Sequence, residues 1–200
     1  MAEFLLNALI GVIIGVISLG IGYLFSRQQS KELVKTAKEI LRSFEVISLR
    51  DEFYMTHILA GQIRSNSFFP DLIIAITPGG GMVGEWLSRR FLGDRAKPIP
   101  MCSVWIDTVR DSEGRHLSPP KACASLSSSL PKVKNILLVN DISKSGQTLG
   151  VAIEFAKGAF QDSTIKAAVL FLSQDAGPPY PDFWVNKPWR WVDFEWKRGT

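Results

Sequence analysis

Histidine and cysteine are nearly missing from this chain. His57 and His116 are the only histidines and stand far apart, which leaves no material for a histidine-based metal site or catalytic dyad. Cys102 and Cys123 are the only cysteines. They match no metal-ligand spacing and suggest no disulfide framework, which fits a reducing compartment. No GxxxxGK(S/T) loop occurs, so a Walker-type nucleotide site is excluded. Internal repeats and a second domain are absent too. Nor is there any basic residue before Arg27, and Phe4 to Phe25 carries no charge of either sign.

What is present reads as one compact domain with an apolar leader. The chain has 200 residues, 46% hydrophobic and 21% charged, a globular rather than a disordered balance. The net charge of +4 is mild. Much of the excess follows the apolar start, where a membrane explains it better than nucleic acid does. Nucleic acid is not an expected partner.

The uncharged stretch would span roughly 33 Å as a helix, enough for a bilayer core. A cleavable signal would need a basic start and a small-x-small cleavage site. Here the start carries Glu3, and Tyr23-Leu24-Phe25-Ser26-Arg27 is a poor cleavage site. The sequence therefore predicts a retained transmembrane anchor over residues 1–26. Arg27, Lys31, Lys35, Lys38 and Arg42 follow it. By the positive-inside rule they place the rest of the chain in the cytoplasm, as a single-pass membrane protein whose first partner is the lipid bilayer. Gly11 and Gly15, continued by Ser18 and Gly22, form a small-residue stripe that permits homodimer packing; glycine is also simply common in such helices. Residues 27–45 read as a linker helix. Leu33, Ala37, Ile40, Leu41 and Phe44 recur at helical spacing, a face for packing on the domain, on a second copy or on anionic lipid.

From residue 46 to 200 the pattern is α/β. Ser48 to Ser65 reads as a helix, with Ser48 as its cap and Asp51 and Glu52 in its first turn. Leu72 to Ile76 is a continuous apolar run, the mark of a strand buried on both faces. Thr77-Pro78-Gly79-Gly80-Gly81 is a turn, and Met82 to Phe91 the next helix. Met101 to Ile106 is a strand. Asp107 to Ser129 is polar and reads as a long loop. Ile136 to Val139 and Ala167 to Leu172 are further buried strands. A helix running to about Phe160 lies between them. Strands alternating with helices predict a parallel sheet flanked by helices, with ligands at the carboxyl ends of its strands.

Asn140-Asp141-Ile142-Ser143-Lys144-Ser145-Gly146-Gln147-Thr148 carries the chemistry. A strand ends in a carboxylate, and a loop rich in hydroxyls and glycine then opens a helix. Free N–H groups and the dipole of a helix start bind phosphate. Ser143, Ser145 and Thr148 add hydroxyls, and Lys144 adds charge. Asp141 can accept hydrogen bonds from sugar hydroxyls or can merely cap the turn.

Leu138 to Thr148 resembles the phosphoribosyl pyrophosphate (PRPP) signature of type I phosphoribosyltransferases: an apolar strand, two acidic residues and a loop ending Thr-Gly-x-Thr. Pro70 to Gly81 resembles that family's strand and pyrophosphate loop. Tyr180 to Trp184 and Trp191 to Trp196 resemble the C-terminal hood of its 6-oxopurine, xanthine/guanine-type branch. The resemblance implies a type I phosphoribosyltransferase-like sheet and PRPP or a nucleotide as ligand. It further implies transfer to a purine-like base, with Mg²⁺ as cofactor. It implies Asp141 as the catalytic residue, on the ribose hydroxyls and indirectly near the metal. Asn140 and Ser143 to Thr148 would hold the phosphate and PRPP. Thr77, Pro78, Gly79 and Gly80 would form the pyrophosphate loop, and Gln174 and Trp191 would meet the base. The loop from Asp107 to Ser129 would close over the site.

Four positions depart from the family pattern. Asn140 replaces an acid, Lys144 stands where an acid often serves as base, Pro78 replaces a basic residue, and Gln174 stands for a lysine. Three functions therefore remain open: a membrane-anchored phosphoribosyltransferase, a diverged nucleotide or PRPP sensor on the same anchor, and an effector whose ligand rearranges associated membrane helices.

Overall fold

The computed structural model describes residues 44–91, 97–107, 121–123, 133–188 and 191–195. The expected anchor and most of the expected linker helix lie outside them. Among the described residues no helix is long and apolar enough to cross a membrane.

The chain enters through strand β1 (Phe44–Ile47). Phe44 and Glu45, assigned above to the linker helix, are therefore strand; they pair in parallel with the distant β8 (Trp191–Phe194), a partner no local pattern announces. Helix α1 (Leu49–Ser65) follows with the expected start. The Ser48 hydroxyl accepts from the Asp51 N–H at 3.2 Å, and the Ser48 N–H donates back to the Asp51 carboxylate at 3.3 Å. This reciprocal box satisfies two of the free donors at the helix start. The Ser48 hydroxyl also donates to that carboxylate, and these bonds hold the Asp51 carboxyl below its ordinary pKa.

The remaining elements are β2 (Leu72–Thr77), α2 (Gly79–Arg90), β3 (Met101–Asp107), β4 (Lys121–Cys123), β5 (Asn135–Ser143), α3 (Gln147–Ala159), β6 (Thr164–Leu172) and β7 (Phe183–Asn186). A six-stranded sheet runs in the order β4-β3-β2-β5-β6-β7, parallel except for β4 against β3. The expected parallel sheet is thus observed. The expected loop from Asp107 to Ser129 contains β4, whose Lys121 to Cys123 pair with Asp107 to Trp105. Three residues are too few to show a strand period. The rest of that loop lies outside the described residues.

Alternate residues of the central strands serve two cores. Ile73, Leu137 and Val139 pack with Leu59, Ile63, Val83 and Leu87, on the face covered by α1 and α2. Leu72, Ile74, Ile76, Ile136 and Leu138 pack with Leu149, Ala152 and Ala156 of α3 on the other face. Burial on both faces is why these strands are apolar runs rather than alternations. It also positions the site. From the carboxyl end of β2 the chain turns into α2 on one face, and from the adjacent β5 it turns into α3 on the other. The two connections part company there and leave a crevice, which is where open α/β sheets bind ligands.

Candidate functional site

A cavity of about 450 Å³ occupies that crevice. It is lined by Ile76 to Gly79 from β2 and the start of α2, Trp105 and Ile106 from β3, Asn140 to Gly146 with Thr148 and Leu149, and Val169. Thr77, Pro78, Gly79, Asn140, Asp141, Ser143, Lys144, Ser145, Gly146 and Thr148 are thus brought together, though the sequence separates them by more than sixty positions.

Two expected local structures are corrected here. Ile142 and Ser143 do not begin a loop: they prolong β5 past the expected strand end at Asp141, because Ile142 pairs with Phe171 and Ser143 with Leu172 of β6. Gly79 to Gly81 are not a free turn but the first turn of α2, which has no side-chain cap. Glycine is a poor helix former, and tertiary packing overrides it here. A Cβ on Gly80 would collide with the Val139 carbonyl, and one on Gly79 would collide with the Asp141 carboxylate. The helix can lie this close to β5 only because both positions are glycine. Gly80 is spent on that contact and does not line the cavity.

Asp141 is 3% exposed. Its Oδ1 accepts the Ile142 N–H at 2.7 Å, and its carboxylate lies against Gly79. Asn140 donates its Nδ2 to the Ile142 carbonyl at 3.1 Å, which leaves its side-chain oxygen as the group to offer a ligand. Ser143 is 5% exposed, and its hydroxyl has no hydrogen-bond partner among the described residues. A buried hydroxyl on a cavity wall without a partner costs free energy, and a ligand oxygen would relieve that cost. Gly146 then turns the chain into α3 with φ 74°, and no side chain caps the helix. The helix therefore presents unsatisfied N–H groups beside Ser143, Ser145 and Thr148, an arrangement suited to a phosphate.

The sequence pattern did not disclose the support of this loop. The turn after β6 is fastened to it: Ser173 N–H donates to the Ser143 carbonyl at 2.9 Å and Gly177 N–H to the Lys144 carbonyl at 3.1 Å. Trp105 was also missed; its signal was an aromatic on the exposed phase of an alternating strand, at the strand's carboxyl end.

Two expected contacts, Gln147 and Gln174, do not reach the cavity, and a third, Trp191, is not described at its side chain. Gln147 is exposed on the first turn of α3, outside the lining. The Gln174 amide donates to the Lys187 carbonyl at 2.8 Å, because the turn carries it towards the end of β7. Trp191 lies in β8 opposite Phe44, and its side chain is outside the described set. Burial pushes the Cys102 thiol up, and its side chain is not among those lining the cavity.

The donors fit Mg²⁺ poorly as a resident ion. Mg²⁺ is held by one or two carboxylates together with substrate phosphates. The end of β5 supplies one buried carboxylate, Asp141, and the neutral amide of Asn140. Among the described residues no group of three or more His, Cys, Asp or Glu could hold a metal.

Comparison with known proteins bears on the fold and the family. A phosphoribosyl transferase domain model matches residues 54–198. A purine phosphoribosyltransferase from Pyrococcus horikoshii Ot3 is 25% identical, with a TM-score of 0.61 over 77% of this chain and 93% of its own. A Helicobacter pylori xanthine-guanine-hypoxanthine phosphoribosyltransferase is 18% identical, with a TM-score of 0.62 over 76% and 93%. A hypothetical protein from Neisseria gonorrhoeae with bound ppGpp is 21% identical, with a TM-score of 0.63 over 77% and 89%. At those identities the last two bear on the fold alone. None of the curated proteins matches the chain.

Proposed function

Because this chain belongs to the phosphoribosyl transferase domain family, we propose that its cavity binds PRPP and transfers the phosphoribosyl group to a purine-like nucleobase, releasing pyrophosphate. The observation that carries this reading is the meeting of a phosphate cradle, Ser143 to Thr148, with Asp141 and Gly79 in one cavity. The cradle takes the 5′-phosphate, with the Ser143 hydroxyl as one of its donors. Asp141 and Asn140 accept from the ribose hydroxyls and fix the sugar. A nitrogen of the base attacks C1 of the ribose. The C1–O bond breaks, its electron pair leaves with pyrophosphate, and the proton of the base nitrogen passes to solvent, since Lys144 stands where an acid would accept it. Any Mg²⁺ that took part would come with PRPP as part of the substrate, since the described residues supply only Asp141 towards it. The purine-like acceptor rests on the Pyrococcus relative and on the C-terminal segment around Trp191.

A second reading is favoured by a specific observation. The Asn140 amide removes one negative charge beside the sugar, and Pro78 offers neither a cation nor an N–H to pyrophosphate. A domain that binds a nucleotide or PRPP without turning it over fits these two positions. The test is pyrophosphate release by the full chain in detergent, given PRPP and Mg²⁺ with a panel of purine and pyrimidine bases and a no-base control. Base-dependent release is expected. No release with any base, from protein that still binds PRPP or a nucleotide, would establish the binding-only reading instead.

Membrane attachment belongs to the same proposal. The uncharged run from Phe4 to Phe25 and the basic residues after it support a single-pass anchor with the domain in the cytoplasm. The Gly11 and Gly15 stripe supports pairing of two copies. The full chain is expected to stay in the membrane pellet through alkaline carbonate, and to lose cross-linked dimer when Gly11 and Gly15 are both changed to Leu. Extraction by carbonate would refute the anchor, and an unchanged cross-linking pattern would refute the dimer face.

A further inference from the structure

Large apolar side chains left in solvent are unevenly spread over this domain. Of the eight exposed among the described residues, four fall within one short stretch: Val46, Leu49, Phe53 and Tyr54. The other four are scattered along the chain, as on an ordinary surface. Leu49, Arg50, Phe53, Tyr54 and His57 are all exposed. At 3.6 residues per turn they share one arc of about 140° on α1, turned away from Leu59 and Ile63, which pack in the core. The surface continues onto α2. Phe53 meets Trp86 edge-on, with ring centres 5.6 Å apart, and the Arg90 guanidinium lies 4.2 Å from the centre of the Phe53 ring. None of these residues lines the cavity, so the ligand site does not account for them.

The charge of this face is basic. On α2, Arg89 and Glu85 pair at 2.7 Å and cancel. Asp51 and Glu195 are engaged at the start of α1, with Ser48 and with the Leu49 N–H. Arg50 and Arg90 are left as the charge of the face itself. Exposed aromatics interleaved with arginine match a bilayer surface, where rings sit at the headgroup level and cations meet anionic lipid.

Place and charge both single out the bilayer as the occupant. Residues 26–43 join the uncharged run to β1, and these eighteen residues reach roughly 60 Å fully extended and roughly 27 Å as a helix. The exposed stretch begins two residues after that segment ends. A domain tethered so closely docks through a contact too weak to hold a free one. The joining segment is a poor occupant, because it carries five basic residues against Glu32 and Glu39 and is repelled by Arg50 and Arg90. A second copy of the same face brings the same arginines. An anionic leaflet attracts all of them.

We propose that this face of α1 and α2 docks the domain on the anionic cytoplasmic leaflet of the membrane that holds its anchor, with Phe53 and Tyr54 at the headgroup level and Arg50 and Arg90 on lipid phosphates. The proposal rests on the anchor reading given above, and its test reports on the two separately.

The experiment is photo-cross-linking of the full chain in phosphatidylcholine–phosphatidylserine vesicles that include a diazirine-bearing phosphatidylserine, with lipid adducts mapped by proteolysis and mass spectrometry and a parallel sample washed in alkaline carbonate. Helix α3 is the internal reference, since it covers the opposite face of the sheet. Adduct is expected on Leu49–Ser65 in large excess over Gln147–Ala159. The excess should shrink when phosphatidylcholine replaces the anionic lipid. Arg50→Gln should lower the α1-to-α3 ratio by up to about fivefold, the scale of one arginine at an anionic surface. A chain held through carbonate that labels both helices alike would overturn the docking alone. So would an excess on α1 that ignores both lipid charge and Arg50. An α1 that gains adduct only on dilution into more lipid would assign the face to a second copy, and one without adduct at every dilution would deny it to lipid altogether; either overturns the proposal. A chain that labels on α1 yet is extracted by carbonate would keep the docking face and bring down the anchor.

Discussion

Replacing Asp141 by alanine is expected to lower base-dependent pyrophosphate release by about 100-fold or more in a chain that still folds, the scale on which one preorganised polar contact to the reacting group acts. The carboxylate is the one acidic group on the cavity wall among the described residues. Two roles compete for it, and the geometry separates them. In the first it only fastens the end of β5, through the 2.7 Å bond its Oδ1 accepts from the Ile142 N–H. In the second it also holds the ribose hydroxyls. Asp141→Asn keeps the shape and one acceptor oxygen and removes the charge. If fastening were the whole role, the asparagine variant would turn over like the unmodified chain. If Asp141 grips the sugar, the asparagine and alanine variants fall together. Loss of the bond to the Ile142 N–H should by itself cost about 1 kcal/mol of stability. A thermal melt checks that activity is lost without loss of the fold. Under the binding-only reading the same pair of variants should show the same ranking in affinity for ribose 5-phosphate. An alanine variant that kept both turnover and binding would remove Asp141 from the site.

The parts of this fold that could be read from sequence are those whose cause is local. Leu72 to Ile76 and Ile136 to Val139 announced themselves as strands because burial on both faces makes them uninterrupted apolar runs. The start of α1 was legible because Ser48 and Asp51 satisfy each other within one turn. The turn into α3 was legible because glycine and hydroxyl residues before an apolar run mark a helix start. What stayed hidden depends on partners far along the chain. Ile142 and Ser143 look like a loop by composition and are strand only through β6. Phe44 and Glu45 look like the end of a helix and are strand only through β8. The helical turn at Gly79 exists because glycine lets α2 press on β5, which no propensity scale reports. Trp105 meets the cavity because β3 pairs with β2 in one particular register. The base contacts expected at Gln174 and Trp191 were read from a resemblance in segments with few fixed positions, and the structure ties Gln174 to Lys187 instead.

Gly146 is where the fold of the cradle and its function meet, and Gly146→Ala should therefore damage both. The residue has φ 74°, in the left-handed region, which costs a residue with a Cβ about 1–2 kcal/mol. Its surroundings add to this. A Cβ at this position would run into the carbonyl of Gly177 and the backbone of Pro178, neither of which can rotate away as a side chain would. The segment that would have to retreat is the one fastened to the cradle by the Ser173 and Gly177 N–H groups. Displacing it loosens Ser143 and Lys144 and shifts the helix start that presents its N–H groups to the phosphate. The expected outcome is a melting point lower by several degrees and an affinity for ribose 5-phosphate weaker by about tenfold or more, since charge-assisted bonds depend steeply on geometry. Gly158 provides the contrast within the same helix. It is exposed, and a Cβ there would meet nothing within 4 Å, so Gly158→Ala encounters only the ordinary helix preference for alanine. That change should stabilise the protein by up to about 0.5–1 kcal/mol and leave ligand affinity alone. Opposite signs from two glycine-to-alanine changes on one helix would mark the turn at Gly146 as a requirement of the cradle rather than of the helix. A Gly146→Ala variant that melts and binds like the unmodified chain would mean that the Gly177–Pro178 turn yields freely, and that the cradle is not held by it.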